Sequence, residues 1–214
     1  MSKVVLIDYG SGNLRSAEKA LAVAADRAGK GGKIVVASDP KIVASADRLV
    51  LPGVGAFGAC MSLLHAKDGL VEAMTEAVKK RGVPFMGICV GMQLLADRGL
   101  EFGETPGLGW IHGDVKEIER TASALKVPHM GWNGLQHARR HPLMAGIPDG
   151  GHMYFTHSFI LDARDQTDVI AWTDHGGRFP AAVARGNVAG MQFHPEKSQA
   201  LGIRLLGDFL EWRP

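Results

Sequence analysis

The stretch PFMGICVGMQLL, residues 84–95, sets one cysteine between two glycines, with apolar strand-type residues before it and a helix-like pattern after it. Residues 83–87 read as a buried strand and residues 92–98 as the helix that follows. Gly-x-Cys-x-Gly at such a junction is the thiol form of a nucleophile elbow. The turn is so tight that a side chain at Gly87 or Gly91 would collide with its neighbours, and it presents Cys89 as a surface elbow at the carboxyl edge of a sheet. The N-terminus of the helix, with its unpaired N–H groups and dipole, favours the thiolate. The same pentapeptide also occurs as a structural tight turn, and a lone cysteine is most often a small core residue. Function at Cys89 therefore requires a base. Cys60, in AFGACMSLL, has no comparable context and reads as inert core.

Working outward from the elbow, the first half alternates strand and helix patterns. Strands are expected at 4–7, 34–36, 49–51 and 83–87, interleaved with helices at 14–27, 40–46, 56–64, 70–80 and 92–98. That order predicts an α/β fold, with a mostly parallel central sheet covered by helices on both faces. The second half adds β-rich segments at 111–118, 153–161, 169–172, 181–185 and 188–193. Arg185-Gly186-Asn187 marks a hairpin among these antiparallel additions. A closing helix is expected at 199–212. There is no repeat or linker, Gly29-Lys30-Gly31-Gly32 reads as a loop, and residues 1–214 are expected to form a single domain.

The chain has 214 residues, enough to bury a sizeable core. Hydrophobic residues make up 46% and charged residues 21%, a composition that excludes a largely disordered protein. Lys+Arg number 24 against 22 Asp+Glu, so the net charge of +2 carries no electrostatic footprint for nucleic acid. Two cysteines are too few for a disulfide framework, MSKVVLIDYG runs straight into a strand, and no apolar run exceeds strand length. A reducing cytoplasm is the expected setting, with no membrane partner.

The base is sought among nine histidines. His65 and His137 read as solvated, His141 precedes a proline in a loop, and His175 sits in a Gly-rich turn. In MQFHPEK, Pro195 biases His194 toward an extended backbone, and residues two apart in an extended stretch share a face. Glu196 can then orient one ring nitrogen of His194 while the other faces a nucleophile, the logic of a Cys-His-acid triad. Taken alone, the tripeptide is also consistent with a strand-end histidine beside a solvated glutamate. For an oxyanion, the backbone N–H of Val90 is one donor. A second can come from Gly53-Val54-Gly55 in LPGVGAFG, where glycines after a strand let N–H groups turn toward a ligand. Zinc is disfavoured by the lack of C-x-x-C or H-E-x-x-H, and DYGSGNLRS fails as a dinucleotide fingerprint because Arg15 stands at its third glycine position. No cofactor and no metal are expected.

Assembled, these residues resemble the class I glutamine amidotransferases. DYGSGNL, LPGVGAFG, GICVGMQLL, GLGWI, PHMGWN, YFTHSF and MQFHPEKS, in that order, are similar to the glutaminase subunits of imidazole glycerol phosphate synthases of histidine biosynthesis. The resemblance implies hydrolysis of glutamine to glutamate and ammonia, with Cys89 attacking the amide, His194 shuttling the proton and Glu196 orienting His194. It also implies glutamine contacts at Gly55, Gln93 and the segment Thr156, His157, Ser158 and Phe159, much of it through backbone groups. A heterodimer partner is implied as well, a (β/α)₈-barrel cyclase that turns the ammonia into imidazole glycerol phosphate and aminoimidazole carboxamide ribonucleotide, with Asn13, Trp132 and Lys197 near it. Val90 stands where leucine is usual and Phe159 where tyrosine is common; the first change keeps the backbone donor, and the second removes a hydroxyl. The alternatives are a glutaminase for another synthase, a partner-independent thiol hydrolase of related fold, or a non-catalytic α/β binding module.

Overall fold

The computed structural model describes residues 2–29, 32–119 and 126–214. The first half follows the expected alternation: β1 (Lys3–Ile7), α1 (Leu14–Arg27), β2 (Lys33–Ala37), α2 (Pro40–Ala44), β3 (Arg48–Gly53), α3 (Phe57–His65), α4 (Leu70–Thr75, continued by a π turn over Glu76–Lys80), β4 (Phe85–Cys89) and α5 (Val90–Gln93). The second half comprises β5 (Arg98–Gly99), β6 (Thr105–Pro106), β7 (Gly113–Glu117), β8 (His129–Gly134), β9 (Gln136–His137), β10 (His152–His157), β11 (Phe159–Ala163), β12 (Val169–Asp174), β13 (Arg178–Arg185), β14 (Val188–Met191) and α6 (Gln199–Glu211).

Eight strands form the central sheet in the order β2-β1-β3-β4-β14-β13-β12-β9. The five from β2 to β14 run parallel, and the last three are antiparallel additions. β3 and β4 are buried along their whole length, as expected of strands covered on both faces. The helix α1 starts at Asn13, whose side chain accepts the Ser16 N–H, and buries Ala17, Ala20, Leu21, Ala24 and Ala25. It packs beside α6. Arg48, itself buried, donates to the carbonyls of Phe209 at 3.1 Å and Trp212 at 2.8 Å, so the end of α6 is tied to the start of β3.

Three expectations change. Residues 153–161 are not one strand: β10 pairs with β8 and β11 with β7, in separate sheets, and Ser158 sits at the break. The 111–118 segment narrows to β7, while β5, β6, β8 and β9 carry no strong strand pattern and depend on their neighbours for pairing. The helix expected at 92–98 is one turn, α5. The carbonyls of Leu94, Leu95 and Ala96 instead accept N–H groups from residues 108–111, at 2.8–3.0 Å, which removes them from any continuing helix. The hairpin at 185–187 is as expected, with Arg185 opposite Val188. Of the Gly29–Gly32 loop, Lys30 and Gly31 lie outside the described residues.

Candidate active site

β3 and β4 end together, Gly53 opposite Cys89. Cys89 has φ 54° and ψ −112°, a conformation that residues with a side chain rarely adopt, as the elbow requires. A Cβ at Gly87 would lie 2.3 Å from the Gly91 carbonyl oxygen, and one at Gly91 would lie 1.9 Å from that of Leu51. Both glycines are thus imposed by close backbone approach. The sulfur is not on the surface, however: Cys89 is 3% exposed, at the wall of a cavity of about 260 Å³. A recess of about 290 Å³ elsewhere, between Lys116, Asp162, Trp172 and Arg178, has no cysteine, serine or threonine in its wall.

His194 lines the same cavity, three residues beyond the end of β14, the strand paired directly with β4. Its backbone is extended, but Pro195–Lys197 forms a 3₁₀ turn rather than a continuing strand. The turn is clamped. Ser198 Oγ donates to the His194 carbonyl at 2.6 Å and accepts the Tyr154 N–H at 3.0 Å, and the His194 N–H donates to the Tyr154 carbonyl at 2.9 Å. Helix α6 closes from behind, so near that a Cβ on Gly202 would sit 1.9 Å from the Pro195 oxygen. Within this clamp His194 Nδ1 meets Glu196 Oε1 at 2.8 Å, with both side chains 3% exposed. The carboxylate fixes the ring's orientation and leaves Nε2 for the cavity. Burial works against a charged ring here. The neighbouring Cys89 sulfur and the Glu196 carboxylate outweigh it, and the His194 pKa is raised to about 9. Nε2 makes no hydrogen bond among the described residues, so the thiol acts on the ring without a closed N–H···S contact at rest.

Val54, Gly55, Val90, Gln93, His157, Ser158, Phe159 and Lys197 line the cavity with Cys89 and His194. Glu196 stands behind His194. Gly53 lies beneath the elbow, where a Cβ would come within 2.8 Å of both Gly91 N and Tyr9 Oη. The Val54 N–H is not aimed at a ligand, because it donates to Ser11 Oγ at 3.1 Å, and that hydroxyl donates back to the Val54 carbonyl at 2.7 Å. Cys60 is buried as expected, yet its thiol also donates to the Val54 carbonyl, at 3.3 Å. The loop that would supply an oxyanion donor is therefore held shut from below.

Gln93 Nε2 and His157 Nδ1 both donate to the Phe159 carbonyl, at 2.9 and 3.0 Å. His129 Nδ1 meets His157 Nε2 at 3.0 Å and Asn133 Nδ2 donates to His129 Nε2 at 3.1 Å. Burial lowers the pKa to about 3 for His157 and about 4 for His129, so both rings are neutral links in this chain. Among the described residues no group of three or more His, Cys, Asp or Glu side chains has the geometry to hold a metal ion. Of the three residues expected near a partner, Trp132 is 47% exposed and stands edge-on to Tyr154, over which Lys197 Nζ lies at 5.6 Å. Asn13 belongs to another loop, the one that carries Ser11.

Thr156, expected to contact glutamine, does line the cavity, whereas Glu101 and Ser11 were not anticipated from the sequence. Glu101 lines the cavity and accepts the Phe57 N–H at 2.8 Å, and the Thr156 carbonyl lies 3.9 Å from Cys89 Sγ. Glu101 stands in an irregular turn and offered no signal. Ser11, between two glycines ahead of the first helix, was legible only as a loop residue.

Residues 5–211 match the glutamine amidotransferase class-I family. A Caulobacter vibrioides protein named imidazole glycerol phosphate synthase subunit HisH is 62% identical over 214 residues, covering 100% of each chain. A Brucella abortus protein of the same name is 53% identical over 215 residues, covering 99% of this chain and 100% of the relative. Among solved structures, one described as PurLQS from Thermotoga maritima superposes with a TM-score of 0.71 at 21% identity, covering 98% of both chains. A glutamine amidotransferase crystal structure gives 0.70 at 21% identity, covering 97% of each. Those two speak for the fold alone, and they share it across nearly the whole length. With an elbow thiol, a buried His-Glu pair and a family match that spans nearly every described element, the chain belongs to the class-I glutamine amidotransferases.

Proposed function

We propose that this chain is the glutamine-hydrolysing subunit of an imidazole glycerol phosphate synthase in histidine biosynthesis, a single glutaminase domain over residues 1–214. The chemistry rests on one observation: the elbow thiol and the buried His194–Glu196 pair meet at the same small cavity. The choice of synthase rests on end-to-end similarity to the relatives that bear that name.

Cys89 attacks the side-chain carbonyl carbon of glutamine, its proton having passed to His194. The Val90 N–H and an N–H released from the Gly53–Gly55 segment stabilise the oxyanion. His194, protonated at neutral pH, gives its proton to the departing nitrogen; ammonia leaves and a thioester remains. Neutral His194 then takes a proton from water, which attacks the thioester; the C–S bond breaks, glutamate is freed, and the proton on His194 is shared again with the Cys89 sulfur. Glu196 holds the ring in one tautomer throughout. Gln93 and the 157–159 segment hold the amino-acid end.

Ammonia passes to a (β/α)₈-barrel cyclase docked on the face that carries Trp132 and Lys197. There it enters the ring that becomes imidazole glycerol phosphate. The seat of this reaction is the cytoplasm. No described helix is long and apolar enough to cross a membrane. The test is glutamate release by wild type and Cys89→Ala, each alone and with the cyclase. Cys89→Ala is expected to abolish glutamine hydrolysis while the assembled complex still runs on free ammonia. Near wild-type turnover in that variant would end the assignment of Cys89.

A further inference from the structure

We infer that Gln192 is a positioning residue for the Cys89 nucleophile, its side-chain amide turned so that an N–H faces the sulfur. Gln192 is fully buried between Met191 and Phe193, and its backbone N–H donates to the Ala181 carbonyl at 2.9 Å. Its side chain does not line the cavity, so it acts on the reaction through the sulfur and not on glutamine. The inference rests on Cys89 being the nucleophile.

An amide side chain can be placed in two orientations that are chemically opposite at the sulfur. An N–H favours developing negative charge, whereas a carbonyl oxygen repels it. The neighbours decide. The Phe159 carbonyl can only accept, and it already takes the His157 Nδ1–H, so the Gln93 atom 2.9 Å away must be the nitrogen. That nitrogen's second hydrogen meets Gln192 at 3.2 Å, where only an oxygen satisfies it. Gln192 Nε2 is thereby left facing Cys89 Sγ, at 4.0 Å. The polarity at the sulfur is dictated three links away, by a backbone carbonyl that cannot reverse.

The other partner of the sulfur is the Thr156 carbonyl at 3.9 Å, which suits the neutral thiol and repels the thiolate. Gln192 supplies the side-chain N–H that faces the sulfur, while His194 Nε2 makes no hydrogen bond to it at rest. The 4.0 Å contact is long for the neutral thiol and shortens as charge builds on sulfur, since hydrogen bonds to an ionised acceptor are shorter and stronger.

The test is the pH dependence of Cys89 alkylation by iodoacetamide, read from the mass of the Cys89 peptide so that Cys60 does not interfere. Wild type is compared with Gln192→Met, which keeps the shape and loses the donor, and Gln192→Glu, which keeps the shape and presents oxygen. The Met variant is expected to react about tenfold more slowly at neutral pH, the effect of losing one hydrogen bond to a charged group. Its profile moves to higher pH and joins the wild-type plateau at alkaline pH; the Glu variant moves further. A common plateau shows that access to the thiol is unchanged. Profiles that superimpose on wild type in a folded variant overturn the inference. If circular dichroism shows that neither variant folds, Gln93→Met, which frees Gln192 to turn, carries the test: the same displacement supports the inference and its absence overturns it. Displaced profiles in a protein that releases no glutamate would sink the glutaminase reading and leave Gln192 in place. Glutamate release with unmoved profiles would do the reverse.

Discussion

Glu196→Gln isolates the charge behind His194 without changing the shape of the clamp. In the wild type the ring's pKa stands at about 9 instead of 6.5, against the effect of burial, through the thiol and the carboxylate together. A rise of that size corresponds to about 3 kcal/mol of stability. Its sign follows from the direction. A group whose folded pKa is raised contributes fully below its unfolded value, so the contribution is complete below about pH 6.5 and disappears as the pH rises through about 9. Replacing the carboxylate by an amide removes one charge-assisted hydrogen bond, worth about 1.5–3 kcal/mol, and lowers the ring's midpoint by about 1–2 pH units. Two measurements check this. Ring-proton NMR should place the His194 midpoint at about 7–8 in the variant. Urea unfolding between pH 6 and pH 10 should show the stability gap between wild type and variant closing by about 1.5–3 kcal/mol as the pH rises. Turnover should fall about 10- to 100-fold, less than for His194→Asn, because the amide still contacts the ring. An unchanged midpoint, or stability curves that stay parallel over the whole range, would refute the claim that Glu196 holds the proton on His194.

Three further outcomes are expected. Gly91→Ala places a methyl 1.9 Å from the Leu51 carbonyl oxygen and should destabilise the fold by at least about 3 kcal/mol, read from urea unfolding, with loss of glutamine hydrolysis. Ser11→Ala removes two hydrogen bonds that hold Val54, so glutamate release by the isolated chain should rise about tenfold; an unaltered basal rate would show that the clasp does not limit the oxyanion loop. Arg48→Ala should lower stability by about 2–4 kcal/mol, because it strands the Phe209 and Trp212 carbonyls at the end of α6, while leaving the chemistry of the remaining folded protein intact.

What was legible in the sequence tracks how local the controlling physics is. The parallel strands announce themselves through unbroken apolar runs, and α1 through its spacing of buried alanines and leucine. The elbow was legible because Gly87 answers to the Gly91 carbonyl four residues on, within one recognisable pentapeptide, although Gly91 answers to the distant Leu51 carbonyl; His194 and Glu196 were legible because they lie two apart in the chain. The helix after Cys89 was overestimated because the segment that takes its carbonyls comes more than ten residues later. The 153–161 segment looks continuous because both of its halves are extended, and only the partners, β8 for one and β7 for the other, divide it. The Ser11 clasp joins residues 43 positions apart and left no trace in any pattern. Gln192 did leave one: a polar residue between Met191 and Phe193, just past the end of the wholly apolar β14, is a buried amide that requires partners.

Four buried side-chain atoms among the described residues have no hydrogen-bond partner: Tyr9 Oη, Asp168 Oδ2, His194 Nε2 and Glu196 Oε2. Three of them belong to the elbow and its base, and an unsatisfied buried polar group costs about 1–3 kcal/mol. In a lineage that had come to take its nitrogen from free ammonia, Tyr9→Phe would be favoured by stability alone, whereas replacing His194 or Glu196 singly would first forfeit the stability their buried pair contributes. Decay of the activity would therefore be directional: Tyr9 would drift toward phenylalanine well before the triad pair, and well before the glycines of the elbow, which the packing of the backbone holds in place whether or not the thiol is used.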